Sequence, residues 1–89
     1  MKAIVTVVGK DRVGIIASVC TLIAHYQVNI LDISQTVMQG YFTMMMVVDV
    51  SASNHPLSEL AQKMEEKGKE MDLSIRLQRE DIFEAMHRV

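Results

Sequence analysis

The chain has no tryptophan, one proline and one cysteine, and aromatic residues make up only 4% of it. A single thiol, Cys20, excludes an internal disulfide and suits a reducing compartment. Basic charge is also scarce: nine Lys and Arg face eleven Asp and Glu, for a net charge of −2. A nucleic-acid module usually shows a basic face, and none is legible here. No apolar run approaches the roughly 20 residues that span a bilayer. The apolar run at residues 3–8 is too short for a secretory signal and meets charge at once. These absences point to a soluble cytoplasmic protein with neither nucleic acid nor membrane as partner.

Apolar side chains are plentiful by contrast, at 49% of 89 residues. A chain this short forms one domain, residues 1–89, and buries roughly 60–65% of its unfolded surface. Aliphatic side chains and eight methionines must build its core. A surplus is left for a partner surface, so self-association is expected.

Along the chain, "KAIVTVV" is β-branched and nearly all apolar, as in a central strand covered on both faces. From Gly14 the period changes to that of a helix of about 12–14 residues. Ile15, Val19, Leu22 and Tyr26 form its stripe, and Ile16, Cys20 and Ile23 widen it. "VNILDISQTVMQ" alternates, with Leu31, Ile33 and Val37 on one face and Asp32, Ser34 and Thr36 on the other. Gly40 then separates it from "YFTMMMVVDV", which makes residues 29–50 a hairpin. After a loop at 51–55, Pro56 suits the first turn of a helix carrying Leu57, Leu60, Ala61, Met64 and Met71, with Gly68 near its end. "DLSIRLQRE" turns Leu73, Ile75 and Leu77 inward. A short amphipathic helical tail at residues 80–89 presents Ile82, Phe83 and Met86.

The order β-α-β-β-α-β defines an α+β, ferredoxin-like sandwich, a four-stranded antiparallel sheet with two helices on one face. That fold hosts many functions, so the residues must decide. An RNA-recognition module needs stacking aromatics on its central strands, where this chain has methionines. A soft-metal site at Met44, Met45 and Met46 fails because consecutive strand residues alternate faces. "VMQGYF" echoes part of the acylphosphatase phosphate loop, but at the wrong turn and without its arginine. His25, His55 and His87 lack metal spacing, and Cys20 has the spacing of a packed face. No catalytic residue, metal or cofactor is called for.

One stretch remains, "VVGKDRVGII" at residues 7–16, where three charges stand between two glycines at a strand-to-helix corner. The free N–H groups and dipole of a helix starting there favour an anion. Asp11 or Arg12 would read a charge on the ligand, unless Asp11 merely caps the helix and Lys10 and Arg12 are solvated.

Residues 9–34, "GKDRVGIIASVCTLIAHYQVNILDIS", resemble the opening half of an ACT domain. That family places Asp or Asn, a variable residue, usually Pro, then Gly and an aliphatic before a helix, and a polar turn leads into "VNI". Asp11, Arg12, Gly14, Ile15, Val28, Asn29 and Ile30 match, and the likeness extends to about residue 79. It is nearest to free-standing single-domain bacterial ACT proteins and to the glycine-cleavage repressor group. The resemblance implies a non-enzymatic regulatory sensor, a homodimer that takes a small amino acid and acts on a separate regulated protein. By position, Asp11 meets the ligand's ammonium, amides around Val13, Gly14 and Ile15 hold its carboxylate, and Asn29 beside Ile30 contributes from the neighbouring protomer. The serine-sensing domain of phosphoglycerate dehydrogenase has histidine at Gly9 and proline at Val13, so here the loop is less preorganised. The alternative implied is a ligand-free protein–protein interaction module.

Overall fold

The computed structural model describes residues 1–81. Its elements are β1 (Lys2–Lys10), α1 (Ile15–His25), β2 (Asn29–Met38), β3 (Tyr41–Asp49), α2 (Leu57–Glu70) and β4 (Ser74–Arg79). The strands pair antiparallel in the order β2-β3-β1-β4. Glu80 and Asp81 are helical; the rest of the expected tail, with Ile82, Phe83 and Met86, lies outside the described residues.

Directly opposed residues share a face of an antiparallel ladder, so the register sorts the sheet. Ala3, Val5 and Val7 stand opposite Val48, Met46 and Met44, and Ile75 and Leu77 of β4 join them from the other side. All of these are buried in one core with Ile15, Val19, Leu22 and Ile23 of α1 and Leu60 and Met64 of α2. Both helices therefore lie on that face. Each fully buried side chain there stabilises the fold by roughly 1.5–3 kcal/mol.

Several expectations change in detail. β1 is central, but helices cover only one of its faces, and Val8 on the other is exposed. It also runs on to Lys10, because that residue pairs with Tyr41. α1 is 11 residues long, somewhat shorter than its apolar stripe suggested. Ile16 is exposed and Cys20 half-buried, so neither extends the core. Pro56 stands at the N-cap, one residue before α2. Met44 and Met46 are buried while Met45 projects from the helix-free face, as strand alternation requires.

β2 differs most. A register shift between Ile30 and Asp32 leaves Leu31 without a partner in β3. Ile33 and Val37 oppose the core residues Met46 and Phe42, yet both are exposed. Their strand is at the sheet's edge, beyond the cover of the helices. Its two-residue link to β3, Gln39 and Gly40, has positive φ at both positions, 51° and 82°, the type I′ pattern that suits strand twist.

Candidate functional site

Between Lys10 and Ile15 the chain turns through residues 11–14, and Gly14 makes the turn possible. It is the N-cap of α1 at φ 91°, a left-handed conformation that a side chain strains. No side chain caps the helix; Ser18 N–H closes the first helical bond to Gly14 O at 2.9 Å. The amides of Ile15, Ile16 and Ala17 consequently lack intrahelical acceptors. The helix dipole adds about half a positive charge at this end. Asp11 is not the cap, and among the described residues its carboxylate accepts no hydrogen bond.

A groove of about 510 Å³ opens at this corner. Asp11, Arg12, Gly14 and Ile15 line it, joined by Ile16, Ala17, Cys20 and Phe42. Its polar end is the loop and first helical turn; its floor is aliphatic and aromatic. Two bonds hold the loop in place. Asp11 N–H donates to Gly40 O at 2.8 Å, fastening the corner to the β2–β3 turn. The Arg12 guanidinium donates to Met71 O, fastening it to the end of α2. Arg12 is thus a strut, and Asp11 carries the uncommitted charge.

The other expected residues are elsewhere. Val13 is fully exposed and does not line the groove. Asn29 pairs with Asp49, at the far end of the sheet from the Lys10–Tyr41 pair. Eight strand steps separate those ends, about 27 Å. Asn29 and Ile30 therefore cannot share a small ligand with Asp11 of the same chain. Ile16, Ala17, Cys20 and Phe42 were missed as lining residues. Ile16 and Cys20 stand on the flank of the helical stripe, a signal that helical spacing contained, whereas Phe42 arrives opposite Gly9 through strand register alone.

His25 and His55 do other work. Their rings pack edge-on against Tyr26 with centroids at 5.0 and 5.3 Å, and His55 Nδ1 lies 3.1 Å from Glu59. Among the described residues no three His, Cys, Asp or Glu side chains gather to hold a metal, and no helix is long and apolar enough to cross a membrane.

Comparison with known proteins agrees with the fold. Residues 2–78 match the family profile of the ACT domain. A UPF0237 protein of Clostridium acetobutylicum is 53% identical over 89 residues, covering 100% of each chain. The solved structure of an ACT domain protein from Streptococcus pneumoniae superposes with a TM-score of 0.83 at 48% identity, over 94% of both chains. The structure of a candidate glycine cleavage system transcriptional repressor matches at TM-score 0.75 and 27% identity, over 86% of this chain and 44% of that one.

Proposed function

The chain belongs to the ACT domain family, and from that premise we propose that it is a non-enzymatic cytoplasmic sensor whose two copies enclose a small amino acid. The observation that carries this reading is the unpaired Asp11 carboxylate beside the uncapped start of α1 in one groove. A zwitterion brings one charge of each sign, and this corner has a match for both. The ammonium faces Asp11, while the carboxylate takes the free amides of Ile15, Ile16 and Ala17.

The separation of the Asp11 end of the sheet from the Asn29 end, about 27 Å by strand rise, supports a site shared between two copies. Among the described residues nothing pairs with the outer edge of β2. Antiparallel pairing of two such edges reverses one strand, which sets Asn29 of the partner subunit beside Met38 and the Gly40 turn. Asp11 is bonded to that turn. Ligand bridging two copies favours the paired form by mass action and passes the signal to a separate regulated protein. So small a ligand binds in the micromolar-to-millimolar range.

Titration calorimetry against the twenty amino acids tests this. One or a few small amino acids are expected to give heat, and Asp11→Ala is expected to weaken binding by about tenfold or more, the scale of one charge-assisted bond. Absence of heat at millimolar ligand with the dimer intact overturns the sensor reading. It would favour the second reading, a ligand-free pairing module, which the exposed apolar side chains of Leu31, Ile33 and Val37 on the β2 edge support.

A further inference from the structure

A sensor acts through a surface that another protein can read, and the helix-free face of the sheet contains a candidate. We propose that the end of this face nearest the first loop docks a protein segment that is apolar at its centre and acidic at its flanks. The proposal rests on the regulatory reading above only in assuming a separate protein partner.

Register assigns the rows. Lys10, Tyr41 and Met38 form one row, Val8 and Thr43 the next, and Thr6 and Met45 the third. Met38 is 69% and Tyr41 58% exposed, and Val8 and Met45 are exposed as well. The patch ends at the following row, where Ile4 is only 6% exposed. Adjacent exposed apolar side chains of this size mark interaction surfaces, and methionine and tyrosine are the types that adapt to a partner.

Within these three rows both charged residues are cations, and the Asp11 carboxylate next to Lys10 lines the groove at the start of α1 instead. Lys10 stands in the Tyr41 row, and Arg76 is opposite Thr6. The carboxylates on this face, Asp32 and Asp49, lie beyond the patch, in the rows of Val47 and Lys2. Glu65 shares an edge groove with Arg76 but sits on α2, in the other layer. Among the described residues neither Lys10 nor Arg76 has an ion-pair partner. Acidic flanks on the partner complement both.

The patch is also continuous with the groove. Met38 and Tyr41 flank the turn whose Gly40 carbonyl accepts from Asp11 N–H, so one hydrogen bond links the two surfaces.

Selection of a random peptide display library on the full chain, with no amino acid present, tests the surface. Enrichment of sequences with an apolar centre and Asp or Glu on both sides is expected. Met45→Asp is expected to weaken those peptides by about tenfold or more. The double variant Lys10→Glu with Arg76→Glu leaves the apolar rows intact and is expected to turn selection toward Lys- and Arg-flanked sequences. The proposal is overturned by absence of enrichment, or by selected peptides that bind both variants equally. It is equally overturned if selection returns copies of this chain's own residues 82–89, or if Met45→Asp dissociates a self-associated form. Because no amino acid is added, a negative calorimetric result leaves this surface standing, and failure here leaves amino-acid binding standing.

Discussion

Asp49 shows how a single side chain at the end of a strand is tuned. The Ser51 hydroxyl and the Ser51 N–H, 2.9 Å from its carboxylate, stabilise the charged form, with help from the Met1 amino group at 3.3 Å. Its pKa falls from 3.8 to about 2. A lowered folded-state pKa means that the carboxylate contributes stability above the unfolded value and loses it as pH falls from about 4 toward about 2. Asp49→Asn should therefore melt below the parent chain near neutrality, with the gap closing below pH 4. Melting curves across that range check it, and a gap independent of pH would refute the assignment. At this scale much was legible in the sequence. Asp11 and Gly14 could be placed at a strand-to-helix corner, because one glycine stops the apolar run of β1 and another opens that of α1. The tethering of Arg12 to Met71, a residue far along the chain, could not be read.

The last turn of α2 sets local preference against packing. Helix propensity favours alanine over glycine by about 1 kcal/mol in an interior position. At Gly68, however, a Cβ would stand 2.8 Å from Leu73 O and 3.0 Å from Ile75 Cγ1, because the chain turns back immediately into β4. The nearer obstacle is backbone, which cannot swing aside. Gly68→Ala is expected to lower stability by about 1–2 kcal/mol in urea titrations, overpacking exceeding the propensity gain. An unchanged or raised midpoint would show that the turn relaxes. Periodicity located α2 and both its neighbours well. It gave no sign of the register shift at Leu31 in β2. Such a shift is decided by how a strand meets its partner, and no residue of β2 announces it.

The whole molecule is a slab of 34 × 34 × 20 Å. Sheets and helices pack at about 10 Å per layer, so this thickness is that of two layers. A two-layer slab leaves one sheet face and the sheet's edges to meet partners. β2 is the edge with exposed apolar side chains on its helix-side face, Ile33 and Val37. Because neither belongs to the core, Ile33→Lys with Val37→Lys should leave the fold within about 0.5 kcal/mol per site of its parent. The same pair should weaken self-association by tenfold or more, since charges on an edge strand oppose pairing. Sedimentation velocity and circular dichroism together decide it. A folded double variant that remains fully dimeric would remove β2 from the interface.

By itself the sequence determined the element order, the fold class, the core-facing residues of β4 and α2, and the strand-to-helix corner. Each of these follows from spacing within one segment, and local sterics and burial periodicity act within one segment. Only the tertiary structure decided that Ile16 and Cys20 border a groove instead of filling the core, that Phe42 floors it, and that Asp11 and Asn29 stand at opposite ends of the sheet. Those facts depend on strand register and on where the helical layer stops, and both are set by contacts between residues distant in the chain.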